Sequence, residues 1–224
     1  VLVSFLTPRP DRATEPPSVA RRATDDDLDT VVRVLVDSHV DYAWERWALP
    51  WDDRRERLDH LYRTDLRCFA RGVGEVWMTG CGRSVAVWLP TTAPASDPSA
   101  TAELQRAAME AFGERLGIID LVDSAIGVRR PACDWYLATM GTLPEAQRSG
   151  LGTEVLRPRL QALDDAGASA CLETSDPANL RFYGRLGFEV VAELDRLPHG
   201  APTTWVMTRA AAHATSVGRG ERDG

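Results

Sequence analysis

Apolar residues recur along the chain with two distinct periods. Leu28, Val31, Val32, Leu35 and Val36 return at helical spacing behind the acidic run Asp25-Asp26-Asp27, which predicts a helix over residues 27–44 with its acids at the positive end of the dipole. Leu58, Leu61, Tyr62 and Leu66 place a second helix over residues 53–71. Residues 102–116 form a third helical pattern, and residues 118–126 add a short one. The period then shortens. Residues 75–79 and 84–89 flank Gly80-Cys81-Gly82-Arg83 and read as a β-hairpin, after a short strand over 19–23. From residue 135 strands and helices alternate: strand 135–142, helix 151–166 closed by Gly167, strand 169–174, helix 177–185 closed near Gly187, and strands 188–192 and 203–207. Pro158 interrupts the 151–166 pattern, where it removes a backbone hydrogen bond and should kink the axis. The reading is a mixed α/β domain over residues 18–209. Residues 1–17, with four prolines, and 210–224, rich in Ala, Gly and Arg, are expected to be flexible tails.

Charge and composition narrow the function. The 224 residues carry 33 acids against 26 bases, a formal charge of −7, and every base is arginine. The absence of lysine excludes Schiff-base chemistry on a lysine, and the acidic balance argues against a nucleic-acid partner. Apolar runs fall far short of the roughly 18 residues of a membrane span, and the N-terminal stretch lacks a basic n-region. A cytoplasmic protein without membrane association is expected, as a monomer or homodimer. Cys68, Cys81, Cys133 and Cys171 show no C-x-x-C pair, and the histidines no H-E-x-x-H pattern, so neither a metal site nor a disulfide is expected.

Two segments carry chemistry. Gln147-Arg148-Ser149-Gly150-Leu151-Gly152 stands between a strand and a helix, where glycines let backbone approach a ligand and the first helical N–H groups lack intrahelical acceptors. That is an anion site of the kind that holds a phosphate or pyrophosphate, reinforced by Arg148. A dinucleotide-binding turn fits less well: Val155 occupies the third glycine position, and a long connection separates the strand from Gly150. In the second segment Asp176-Pro177 caps a short helix on which Asn179 and Tyr183, four residues apart, share a face.

Gln147-x-x-Gly150-x-Gly152 followed by Asn179-Leu180-Arg181-Phe182-Tyr183-Gly184-Arg185-Leu186-Gly187-Phe188 resembles the acetyl-CoA signature of the GNAT N-acetyltransferase superfamily. Val85-Ala86-Val87-Trp88, Trp135–Gly141, Leu172-Glu173-Thr174-Ser175 and Thr204–Arg209 extend the likeness, which is closer still to puromycin N-acetyltransferases. The resemblance implies a central mixed, mostly antiparallel sheet flanked by helices, with acetyl-CoA as cosubstrate. It implies that the strand ending at Thr142 splays from its neighbour and that backbone at Met140, Gly141 and Thr142 pairs with the pantetheine arm. Amides of Arg148, Ser149, Gly150, Leu151, Gly152 and Thr153 would hold the pyrophosphate, and Asn179 would contact the cofactor near its thioester. Tyr183 would protonate the departing thiolate, a task suited to a phenol that stays protonated at neutral pH. Glu173 is the candidate base, with pairing to an arginine such as Arg181 as its alternative.

Trp44, Trp47 and Trp51 cluster with Tyr42, Asp41 and Glu45, in a region that covers the acceptor pocket of the resembled fold. Tyr42, Trp44 and Trp47 are therefore candidate acceptor-binding residues, suited to a cationic or planar amine; packing of Trp44 and Trp47 onto the sheet is the alternative. The leading reading is acetyl transfer to a small-molecule amine, such as an antibiotic aminonucleoside. Acetylation of a protein or peptide amine and a non-catalytic acyl-CoA- or drug-binding module are the alternatives.

Overall fold

The computed structural model describes residues 19–70, 74–92 and 98–211; both terminal segments expected to be tails lie almost wholly outside these. The strands are β1 (Ala20–Arg22), β2 (Glu75–Thr79), β3 (Ser84–Pro90), β4 (Trp135–Thr142), β5 (Ala170–Thr174), β6 (Glu189–Leu194) and β7 (Thr204–Arg209). They form one sheet in the order β1-β2-β3-β4-β5-β7-β6, in which only β4 and β5 run parallel. The helices are α1 (Leu28–His39), α2 (Ala43–Ala48), α3 (Arg54–Ala70), α4 (Pro98–Phe112), α5 (Leu116–Gly127), α6 (Leu151–Ala166) and α7 (Pro177–Gly184). No helix of the described residues is long and apolar enough to cross a membrane.

Alternation along the central strand β3 divides the core. Val85 and Val87 pack with α1 and α3 residues such as Val31, Leu35, Leu58 and Leu66. Ala86 and Trp88 face the other way, onto Val155, Leu156 and Leu160 of α6 and Tyr183 of α7. Trp88 is fully buried, and burial of a side chain of that kind contributes roughly 1.5–3 kcal/mol. Because residues paired across a sheet share a face, β4 inherits this division. Leu137 and Met140 lie with α6 and α7, opposite Trp88 and Ala86, while Thr139 and Gly141 lie with α1 and α3, opposite Val87 and Val85. A bulge between Val87 and Trp88 leaves Ala138 as the extra residue of β4.

Three local expectations are corrected. The helix expected over 27–44 is two helices. Ser38 Oγ donates to the Val34 carbonyl at 2.7 Å and His39 Nδ1 to the Leu35 carbonyl at 2.8 Å, side-chain bonds of the kind that compete with a continuing helix, and the backbone then tightens as Tyr42 N–H donates to the His39 carbonyl at 2.8 Å. Tyr42 is then extended and caps α2. The third helix begins at Pro98, tolerated in a first turn, and ends before Gly113, whose φ is 52°. Cys133 and Cys171 form a disulfide. Spacing along the chain could not reveal it, because parallel pairing sets Cys171 opposite Tyr136, close to Cys133. α6 runs unbroken through Pro158.

Candidate active site

β4 and β5 pair only at Trp135↔Ala170 and Tyr136↔Cys171. Beyond Tyr136, β4 continues to Thr142 with β3 as its one strand partner, so its edge toward β5 opens into a notch. The notch leads to the glycine turn. Gly150 takes a φ of 95° as the cap of α6, and Arg148 a left-handed φ of 61°, which costs a non-glycine residue ~1 kcal/mol. The first bond of this helix runs from Glu154 N–H to the Gly150 carbonyl at 3.0 Å, leaving the amides of Leu151, Gly152 and Thr153 as first-turn donors at the positive end of the dipole. At Gly152 a methyl group would stand 2.8 Å from Met140 Cε and 3.3 Å from Phe182 Cζ. Glycine is what allows α6, β4 and α7 to meet there.

α7 supplies the other wall. Asp176 accepts from the Ala178 amide at 2.8 Å, and Pro177 follows in the first turn, so the cap expected from the sequence forms. Tyr183 is 8% exposed, and its hydroxyl lies 4.0 Å from Met140 Sδ. Burial, reinforced by Tyr42, pushes this phenol well above the ordinary tyrosine range, so it is protonated at neutral pH. Asn179 Nδ2 donates to Thr174 Oγ1 at 2.9 Å, and the same oxygen is 2.9 Å from the Tyr42 hydroxyl, which also accepts from the Ser175 amide. Tyr42 therefore bridges from the α1–α2 connection to the end of β5.

These groups line one cavity of about 1070 Å³. It brings together Met140, Gly141, Thr142, Arg148, Gly150, Gly152, Thr153, Asn179, Tyr183, Glu173, Tyr42 and Trp44. Ser149 and Leu151 belong to the turn but not to the cavity wall; Ser149 Oγ donates to the Ala146 carbonyl at 2.5 Å. Trp47 is not on the wall either. Its indole N–H donates to the His199 carbonyl at 3.0 Å and its ring packs at 5.0 Å on Trp44 and under Arg115, which is the packing role the sequence left open.

Glu173 is paired, with Arg130 and not Arg181. Arg130 Nε donates to Oε1 at 2.6 Å, and the Tyr136 hydroxyl donates to Oε2. The guanidinium also lies 4.6 Å over the Tyr136 ring. Burial, then the Glu173 charge, raises Tyr136 far enough to keep it a donor.

The sequence set Glu45 beside the acceptor-side tryptophans but gave no role to the wall residues His39, Tyr62 and Asp123. His39 is half-buried, and desolvation pushes it below the usual histidine range, hence neutral at neutral pH; its Nδ1 proton is committed to the Leu35 carbonyl. Tyr62 of α3 interacts with both Glu45 and Thr139. Burial raises the Glu45 carboxyl to about 8, and raises Asp123 as well. A signal for Glu45 was present: three positions from both Tyr42 and Ala48, it occupies the inward stripe of its helix. Pairings that join distant segments, such as Arg130 after α5 with Glu173 on β5, left no such signal.

A protein-family model described as the acetyltransferase (GNAT) family matches residues 40–188. Solved structures share the fold. An acetyltransferase from Corynebacterium glutamicum, described as histone acetyltransferase HPA2 and related, is 22% identical with a TM-score of 0.62, covering 89% of this chain and 99% of that one. A polyamine N-acetyltransferase of Drosophila melanogaster is 16% identical with a TM-score of 0.55, covering 86% and 99%. Arylalkylamine N-acetyltransferase 2 from Aedes aegypti is 12% identical with a TM-score of 0.56, covering 86% and 98%. With the matched region spanning well over half its length, from the α1–α2 connection through α7, the chain belongs to the acetyltransferase (GNAT) family.

Proposed function

We propose that this acetyltransferase moves the acetyl group of acetyl-CoA directly to a primary amine of a small molecule. Acetyl-CoA supplies an acyl thioester reactive toward amines. The residues present suit it: the β5-facing edge of β4 at Met140–Thr142 offers backbone groups to an extended amide-bearing arm, and the turn at Arg148–Thr153 offers first-turn amides and a cation to a pyrophosphate. Asn179, held by Thr174, lines the cavity between these elements and the acceptor side. Tyr183 gives its proton to the departing thiolate sulfur, and its burial beside Met140 keeps it protonated until then.

The acceptor lies on the side of Tyr42 and Trp44, where Glu45, Asp123 and Glu173 add carboxyl groups to the wall. Acids and aromatic faces together suit an amine that arrives as a cation. An aminonucleoside of the puromycin type answers that description, as does an arylalkylamine or a polyamine. Glu173, held at both oxygens, fixes this wall and shapes its charge.

The observation that carries the reading is the meeting of an open β4 edge, a glycine turn and a buried phenol in one cavity. Thiol release from acetyl-CoA against puromycin, kanamycin, agmatine and 2-phenylethylamine tests it. Release with at least one of them, coupled to its N-acetyl product, is expected. Acetyl-CoA binding with no release for any amine would favour a binding module.

A further inference from the structure

Glu45 stands on the wall of the cavity, yet its Oε2 is buried without a hydrogen-bond partner. A buried carboxyl oxygen left unsatisfied is destabilising, more so when charged, a cost that a bound donor would remove. The titratable groups facing this part of the cavity are His39 from α1, Tyr42 from the connection and Tyr62 from α3, with Asp65 acting on Tyr62 from the next turn. Tyr62 links the carboxyl to Thr139. Thr139 precedes Met140, which touches Tyr183, and the two side chains leave opposite faces of β4. Glu45 and Tyr183 therefore approach neighbouring residues of the open strand from opposite layers.

We infer that Glu45 is the base of the reaction: its Oε2 takes the proton of an acceptor ammonium whose apolar body lies against Leu58, Leu61 and Phe112. This role rests on the acetyl-transfer reading above. Once the nitrogen lone pair is free, the N–C bond forms and the C–S bond breaks, with the thiolate taking the Tyr183 proton. Of the two protons the nitrogen loses overall, Glu45 passes one to solvent and the other restores the phenol. Glu173 is less suited, since Arg130 and Tyr136 occupy its oxygens. His39 is packed edgewise against Tyr42 and at a tilt against Tyr62, with its Nδ1 proton on the Leu35 carbonyl. A carboxyl raised to about 8 is also a base strong enough to compete for an ammonium proton and still partly ionised near neutrality.

Thiol release is measured from about pH 6 to about 10 with 2-phenylethylamine, agmatine and puromycin, for the wild type, Glu45→Gln, Glu45→Asp and His39→Asn, with acetyl-CoA affinity measured by calorimetry as the check on folding. Glu45→Gln is expected to lower kcat/KM by on the order of 10²–10³ and to lose the rising limb near pH 8, with acetyl-CoA affinity kept. Glu45→Asp retains the limb at a lower rate, a result that stands even if the glutamine variant does not fold. For β,β-difluoro-2-phenylethylamine, whose weakly basic nitrogen arrives neutral, the loss on Glu45→Gln shrinks. A wild-type rate and limb in Glu45→Gln, an equal loss with both phenylethylamines, or loss of the limb in His39→Asn and not in Glu45→Gln, would overturn the assignment and leave acetyl transfer standing. No release by the wild type with any amine would instead remove acetyl transfer, and this role with it.

Discussion

The Tyr183 hydroxyl and Met140 Sδ lie 4.0 Å apart, one on α7 and the other on the stretch of β4 that has parted from β5. A phenol buried in that place can serve a leaving group on the open strand without being replaced by water. Tyr183→Phe keeps the ring that packs on Phe182 and Phe188 and removes only the proton donor. Turnover should fall by on the order of 10²–10⁴, with acetyl-CoA affinity nearly unchanged in a calorimetric titration. Undiminished turnover in this variant would take Tyr183 out of the mechanism.

Gly141 marks where α1 presses on β4. A methyl group there would collide with Ser38 Oγ and come within 3.0 Å of its Cβ and 3.4 Å of His39 Cε1. Gly141→Ala should destabilise the protein by about 1–3 kcal/mol in urea unfolding. Adding Ser38→Gly should recover part of that loss, because it removes the atoms in the way; strictly additive losses would show that the contact is not the cause.

Arg130 reaches Glu173 from the segment that follows α5. Arg130→Met would leave a mostly buried carboxylate with Tyr136 as its remaining partner, at a cost of ~1–3 kcal/mol once the partial exposure of the arginine is allowed for. Arg130→Met combined with Glu173→Gln should be more stable than Arg130→Met alone, since the unpaired charge is gone. Equal stability of the two variants in thermal melts would mean that the pair contributes nothing.

Stability should also depend on pH through Glu45. Its carboxyl is raised from an ordinary value of 4.5 to about 8 in the folded chain, by burial first. Between those values the folded state holds a proton that the unfolded state has released, so stability falls as pH rises through this window and levels off above it. Asp65, raised to about 7 by burial, acts with the same sign. Urea unfolding at a series of pH values should show a decline of a few kcal/mol (order of magnitude). Glu45→Gln should flatten part of that decline and exceed the wild type above about pH 8. A parallel decline in both proteins would show that Glu45 is not the titrating group.

How far the sequence disclosed this molecule depends on the range of the interaction involved. β4 and α6 form at the expected residues, and the Asp176-Pro177 cap and the Gly150 turn form as read, because each is decided by neighbours within a few positions. The α1–α2 break was hidden: the apolar period runs on through Val40 and Trp44, while the chain turns where Tyr42 goes extended, its N–H on the His39 carbonyl and its hydroxyl bonding across to β5. Trp44 and Trp47 look alike by spacing, yet one lines the cavity and the other is held by the His199 carbonyl. Arg130, Tyr62 and the Cys133–Cys171 disulfide owe their places to strand order and helix packing, which no local pattern encodes.

The most direct measurement is the initial rate of thiol release from acetyl-CoA with and without an amine drawn from aminonucleosides, arylalkylamines and polyamines, with the acetylated product weighed by mass spectrometry. Release should need the amine, match the N-acetyl product mole for mole, and collapse in Tyr183→Phe. Acetyl-CoA bound by the wild type but never turned over, whatever the amine, would rule out acetyl transfer.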